Sequence, residues 1–219
     1  MKFSTKGALE SLSKIKDQLD GLPSLDIAKL NTEETVLIHV DIVEGFLNFG
    51  ALHSKDAQGI VPFVEKLNEK MKDYKKIFVI DRHPKGAVEF KSYPPHCEEG
   101  SGEDELIEEL LPYTEDSLII SKNSTNLFHA KDFLDFLKDF PQIKDFVFVG
   151  VVTDICILQA TLSLRSYFNE HNQDKEIHVL VPAVDTFELE ATNHPRGLHN
   201  LFSLYNMQMN GIKLYRDIL

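Results

Sequence analysis

The sequence predicts an α/β fold of three layers, α-β-α, in which a parallel sheet is covered on both faces by helices. Three observations predict it. From residue 35 onward, short apolar runs of strand length alternate with longer stretches of helical period. Such alternation builds βαβ units with right-handed crossovers. The runs are apolar on both sides, as strands buried between two layers of helices must be. A chain of 219 residues with 42% hydrophobic residues is large enough for one sizeable core and short for two.

Residues 1–33 read as a helical extension, with Leu9, Leu12, Ile15 and Leu19 on one face and a loop at Gly21-Leu22-Pro23. Residues 34–219 then form a single domain. Its strand-like runs are VLIHVDIV (36–43), KIFVID (76–81), SLIISK (117–122), FVFVGVV (146–152) and IHVLVPAV (177–184), with IKLYRDI (212–218) a weaker sixth. Helical stretches lie near 61–73, 131–139, 153–168 and 195–207. One segment breaks the rhythm: 82–113 is rich in Pro, Gly, His and acidic residues, and loops of that length inside a compact domain usually carry function or are disordered. No internal repeat or low-complexity segment is present.

The formal charge of −12 and the absence of a dense Lys/Arg run argue against nucleic acid or an anionic membrane surface as partner. Solubility alone accounts for such acidity, so it selects no substrate. No run of about 18 apolar residues occurs and no charged-then-apolar leader follows Met1, so neither a membrane span nor a signal peptide is expected. The expected location is cytoplasmic, where Cys97 and Cys156, the two cysteines, stay thiols. Helical faces leave room for a homo-oligomer without fixing its order.

In open parallel sheets ligands bind beyond the carboxyl ends of the strands, and three residues there are out of place. Cys156 falls where the apolar run 146–152 turns into a helix that Thr153 or Asp154 can cap. In a first helical turn, free N–H groups and the helix dipole favour thiolate over thiol. The same residue type also serves as an inert core thiol. Asp41 interrupts the first apolar strand and Lys122 closes the third, and a carboxylate in a buried strand needs a partner or a proton. Each alone suits an ordinary strand end. Together they form a set in which an acid takes the thiol proton and an ammonium holds both anions in place.

The irregular segment adds Asp81, His83, Glu89 and His96. An Asp-x-His pair at a strand end, with a carboxylate and an imidazole from the following loop, offers ligands suited to Zn²⁺, Mn²⁺ or Fe²⁺. Nine histidines in 219 residues also place some beside acids by chance, so spacing leaves both readings open.

From about residue 36 to the C-terminus the chain resembles the isochorismatase-like cysteine hydrolases. Asp41 followed by Phe46, Lys122 in SKNSTNLF, and GVVTDICILQATL around Cys156 carry the resemblance. It implies a six-stranded parallel sheet, a Cys156-Asp41-Lys122 triad, a cis peptide at Val151-Val152, and an oxyanion hole made by the N–H groups of Val152 and Cys156. The Asp81-x-His83 pair followed by Tyr93-Pro94-Pro95-His96-Cys97 resembles the nicotinamidase branch. That likeness implies an enzyme of NAD salvage whose divalent metal, Zn²⁺ foremost, is held by Asp81, His83, His96 and Glu89, the last at a position that varies in the family. There the metal binds the pyridine nitrogen of nicotinamide and turns the carboxamide toward the cysteine. Phe46 and Tyr93 are the residues to sandwich the ring, or ordinary core aromatics. Cys97 reads as a buried thiol beside the site.

The chain departs from that branch in three places. Asn123-Ser124-Thr125-Asn126 follows Lys122 where Arg or Tyr contacts are common, leaving a smaller and more polar wall near Thr125. The usual Trp is missing, since the chain has none, and Glu98-Glu99-Gly100-Ser101-Gly102-Glu103 replaces the usual Gln-Gly-Thr. The expected activity is amide hydrolysis of nicotinamide, or of a carbamoyl or maleamate-type amide on the same architecture. A non-catalytic binding module would have no need of all three triad residues. Vinyl-ether hydrolysis of isochorismate needs neither the cysteine nor the histidine pair.

Overall fold

A computed structural model of the chain describes residues 4–219. Helix α1 (Thr5–Asp20) starts at Ser4, whose hydroxyl caps the Gly7 N–H, and an arm leads from it to strand β1 (Thr35–Val40). Five more strands follow: β2 (Lys75–Asp81), β3 (Leu118–Lys122), β4 (Asp145–Val151), β5 (Glu176–Asp185) and β6 (Lys213–Tyr215). All pair in parallel, in the order β3-β2-β1-β4-β5-β6. This is the doubly wound order 3-2-1-4-5-6, whose crevice opens where the winding reverses, between β1 and β4. The sheet is thus the six-stranded parallel one expected.

Side chains alternate across it. Val36, Ile38, Val40, Phe146 and Phe148 face a core completed by α3 (Lys131–Asp139), α4 (Leu158–Glu170) and α5 (Arg196–Met209). Leu37, Phe78, Val147 and Val149 face the other, against α2 (Val61–Lys70). Both faces are buried, which is why the strands read as continuous apolar runs. Edge strand β3 is the exception, exposing Leu118 and Ile119.

The expected sixth strand divides in two. Lys213–Tyr215 joins the sheet, while Asp217–Ile218 pairs with Ser24–Leu25 of the N-terminal arm. Leu22, Leu25 and Ile27 of that arm are buried in the two cores, and Gln18 of α1 bonds Gln208 of α5.

Gly150 sets the distance between β1 and β4. Its φ is +124°, and a Cβ there would stand 2.0 Å from the Val40 carbonyl oxygen. Register between β4 and β5 shifts beside it, between Phe148 and Gly150. The two strands meet closely just where Asp41 leaves β1. Gly150→Ala should therefore destabilise the fold by about 3 kcal/mol or more, combining forbidden backbone and overpacking; a urea midpoint equal to wild type would contradict this role.

Candidate active site

Asp41 is the first residue beyond β1. It takes a left-handed conformation, φ 55°, which Asp tolerates better than most side chains, and its N–H donates to the Val79 carbonyl at 2.9 Å. That turn points the carboxylate inward, where it is wholly buried. Lys122 ends β3 in register with Asp81, the last residue of β2. Its Nζ donates to Asp81 Oδ1 at 2.9 Å and lies 2.9 Å from Asp41 Oδ2 and 3.9 Å from Cys156 Sγ. Only the Asp81 contact among the two carboxylates is aligned as a hydrogen bond, for both Asp41 oxygens are buried without an aligned partner. Four neighbouring strands thus deliver Lys122, Asp81, Asp41 and Cys156 in spatial sequence.

Cys156 sits in a single π turn, Thr153–Ile157, between β4 and α4. The Val152 carbonyl accepts from the N–H groups of both Ile155 and Ile157, at 3.2 Å each. The second is an i to i+5 bond, and turns of this kind recur at functional sites. The Cys156 N–H between them is not spent on that carbonyl. Val151-Val152 is cis, as the resemblance implies. Val152 occupies the N-cap position, and no side chain caps the turn. The expected capping by Thr153 or Asp154 is therefore corrected: Asp154 turns outward to Thr186 and His194.

Electrostatics corrects a second expectation. Burial pushes the Cys156 thiol well above its usual range, and Asp41 and Asp81 add to this against the opposing pull of Lys122. The helix dipole does not prevail, and the resting form is the thiol. Burial also raises Asp41, to about 6, with Lys122 opposing. Lys122 itself is buried, which disfavours its charge, yet the two carboxylates outweigh burial and hold it protonated well above the ordinary range. Near neutral pH the group is therefore a thiol beside an ionised carboxylate that has its proton affinity raised.

Asp81 also belongs to a second group. One ligand atom from each of Asp81, His83, Glu89 and His96 falls within 4.8 Å of the others. Asp81 Oδ2 is 3.1 Å from His83 Nε2 and 3.2 Å from His96 Nε2, and Glu89 Oε1 is 4.0 and 3.9 Å from the same nitrogens. Ligands at about 2.1 Å around a tetrahedral Zn²⁺ stand about 3.4 Å apart, so the spacing fits such an ion. Protonation fits too. His96 Nδ1 faces the Pro94 carbonyl at 2.8 Å and donates there, which leaves Nε2 facing Asp81 Oδ2 at 3.2 Å. Either a second imidazole proton or a metal ion can stand between that nitrogen and the carboxylate. His83 Nδ1 is anchored likewise, 2.7 Å from Asn123 Oδ1, the outer support that metal-binding histidines use.

Both groups meet one cavity of about 470 Å³, mouth included. Phe46, Asp81, Glu89, Tyr93, His96, Val152 and Cys156 line it, while Asp41, Lys122 and His83 lie buried behind them. Phe46 and Tyr93 stand 5.7 and 6.2 Å from the His96 ring, centroid to centroid. Cys97 is a buried thiol whose N–H donates to Glu103 Oε2. Thr125 lines the wall, with its hydroxyl bonded to Gln159 at 2.9 Å. Sequence reasoning missed Leu52, Ile155 and Phe187, which complete the lining. Phe187, two residues past the end of β5, was signalled by the rule that ligands collect at carboxyl ends of strands.

Residues 35–210 match the family model described as the Isochorismatase domain. The chain belongs to the isochorismatase family. Nicotinamidase 1 of Arabidopsis thaliana is 27% identical over 86% of this chain and 88% of its own length. A crystal structure of a pyrazinamidase/nicotinamidase from Streptococcus mutans superposes with TM-score 0.70 at 24% identity, over 82% of this chain and 99% of that one. The pyrazinamidase of Pyrococcus horikoshii in complex with zinc gives 0.67 at 25% identity, over 83% of this chain and 98% of that one. Among the described residues no helix is long and apolar enough to cross a membrane.

Removing the shared cation should cost the fold more than any exposed ion pair. Lys122→Met leaves Asp41 and Asp81 as buried, uncompensated charges, and we expect a loss of about 3 to 5 kcal/mol in denaturant titration near pH 7. A loss below about 1 kcal/mol would mean that Lys122 does not hold the two carboxylates together.

Proposed function

We propose that this amide-hydrolysing member of the family is a metal-dependent nicotinamidase that converts nicotinamide to nicotinate and ammonia. One observation carries the reading: Lys122 joins Asp41 and Cys156 to Asp81, and through Asp81 to the imidazole pair, at a single apolar-walled pocket. A nucleophile and a metal-ligand set that share one residue are suited to a substrate presenting both an amide and a ring nitrogen.

Asp41 takes the proton of the Cys156 thiol, and the thiolate attacks the carboxamide carbon. The oxyanion is met by the N–H groups of Val152 and Cys156, each donor contributing about 3 kcal/mol in comparable sites. Asp41 returns the proton to the leaving nitrogen, so ammonia departs and a thioester remains. Water, deprotonated by Asp41, then releases nicotinate and restores the thiol. Lys122 keeps the group's charge balanced, while Phe46 and Tyr93 hold the ring by stacking worth about 1 kcal/mol. Asp81, His83, Glu89 and His96 would hold a divalent ion, zinc foremost, and such an ion would supply a Lewis-acid seat for the ring nitrogen. Nicotinate so formed feeds pyridine-nucleotide salvage, and two unpaired thiols support a cytoplasmic setting.

Ammonia release from nicotinamide, pyrazinamide and benzamide, measured in parallel, tests the reading. Nicotinamide should be turned over and benzamide, which lacks the ring nitrogen, should be poor; equal rates would remove metal-directed ring binding and favour a carbamoyl or maleamate-type amidase. Cys156→Ala should lose at least about 10³-fold in kcat. Because the base must be ionised and burial sets Asp41 at about 6, kcat/KM should hold above that pH and fall about tenfold per unit below it. An acid limb near 4, the range of an unperturbed carboxylate, would place the base elsewhere.

A further inference from the structure

A third polar cluster stands at the rim of the pocket. Asp154 comes from the π turn, His194 from the loop after β5 and His199 from α5. His194 Nε2 is 2.8 Å and His199 Nδ1 3.1 Å from Asp154 Oδ2, and the Thr186 hydroxyl donates to Asp154 Oδ1 at 2.6 Å. The residue types repeat those of the metal-ligand group, but the ring geometry does not. His83 and His96 cross at 69°, so their in-plane lone pairs can converge on one ion. His194 and His199 lie 18° from parallel with centroids 3.5 Å apart, so their lone pairs run side by side. The rim cluster is a hydrogen-bonded stack, and its chemistry is that of a tether.

The tethered element is the Phe187 wall. Phe187 stacks on His194 at 4.1 Å and 14°, and its carbonyl faces His194 Nδ1 at 3.0 Å. His194 therefore stacks on the Phe187 ring, with one nitrogen facing the Phe187 carbonyl and the other facing Asp154, two residues from Cys156. The loop closes on itself through paired backbone hydrogen bonds between Leu189 and His194, at 3.1 and 3.0 Å. Among the described residues, the Phe187 ring has no aromatic partner except His194. Resting on the amidase reading above, we propose that His194, anchored on Asp154, is a positioning residue that sets the Phe187 wall and restricts the pocket to small, planar ring amides.

The test compares wild type with His194→Ala, His194→Phe and His194→Gln. Steady-state kinetics on nicotinamide and the bicyclic quinoline-3-carboxamide are paired with alkylation of Cys156 by iodoacetamide and by bulkier N-ethylmaleimide, read by peptide mass mapping. For His194→Ala we expect KM for nicotinamide to rise about tenfold with kcat within about twofold, the pattern of lost uniform binding. The preference for nicotinamide over the bicyclic amide should shrink about tenfold, and the maleimide-to-iodoacetamide rate ratio should rise about fivefold. His194→Gln, which keeps a donor toward Asp154, should recover most of the preference; His194→Phe, which keeps a ring and loses both tethers, should not. If both His194→Ala and His194→Phe leave KM, preference and alkylation ratio within about twofold of wild type, the proposal is wrong. Should His194→Ala fail to fold, His194→Phe decides by the same readings. If wild type hydrolyses none of these amides, the nicotinamidase reading fails on its own, and the alkylation ratio alone decides the positioning role.

Discussion

The site depends on one buried ammonium held between two carboxylates. Lys122 is almost fully enclosed, as are Asp41 and Asp81. A charge in that setting costs several kcal/mol unless it is paired, and one cation cannot neutralise two anions. A net negative charge therefore remains among the buried groups. Lys122 donates an aligned hydrogen bond to Asp81 Oδ1 and lies 2.9 Å from Asp41 Oδ2. Burial raises the proton affinity of Asp41, whereas at Asp81 burial is outweighed by Lys122 and the two imidazoles, which hold it low. The sheet makes this division through its topology, for β3, β2, β1 and β4 are adjacent and their carboxyl ends bring the four groups together.

Asp81 serves two neighbours through its two oxygens. Oδ1 faces Lys122, and Oδ2 faces His83 and His96. A change on either side is felt on the other, because a carboxylate that shares its charge with an ion offers less to the ammonium. The carboxylate-imidazole group and the Asp41-Lys122-Cys156 group are thus one electrostatic unit. The apolar walls around them, from Phe46, Ile155 and Phe187, keep the effective dielectric low and strengthen that coupling.

Much of this arrangement was legible in the sequence for a physical reason. Burial on both faces makes the strands apolar throughout, so Asp41, Asp81 and Lys122 stand out as charges where charge is costly. Strand positions followed from the same runs, with β1 ending sooner than expected because Asp41 turns into the left-handed region. The local backbone was less legible. No periodicity announces a π turn, and the absence of a side-chain cap follows from Asp154 having partners distant in sequence, Thr186 and His194. The thiolate expectation failed because it weighed the helix dipole without the depth of burial. Leu52 escaped notice because a loop brings it to the pocket, and loop paths are fixed by contacts that no local pattern encodes.

That failure of the thiolate expectation clarifies the chemistry we propose. A resting thiolate beside Asp41 and Asp81 would put three anions around one ammonium. A resting thiol avoids this, and moving its proton to Asp41 exchanges one anion for another without changing the group's total charge. Lys122, near both Asp41 and Cys156, attracts the negative charge on either side of the transfer. The cost of activation is then the difference in proton affinity between sulfur and oxygen. Burial raises both together, so part of its effect on the one offsets its effect on the other while the nucleophile stays dry. Substrate binding lowers that difference further wherever donors meet the developing oxyanion, and the thiolate forms when there is a carbon for it to attack.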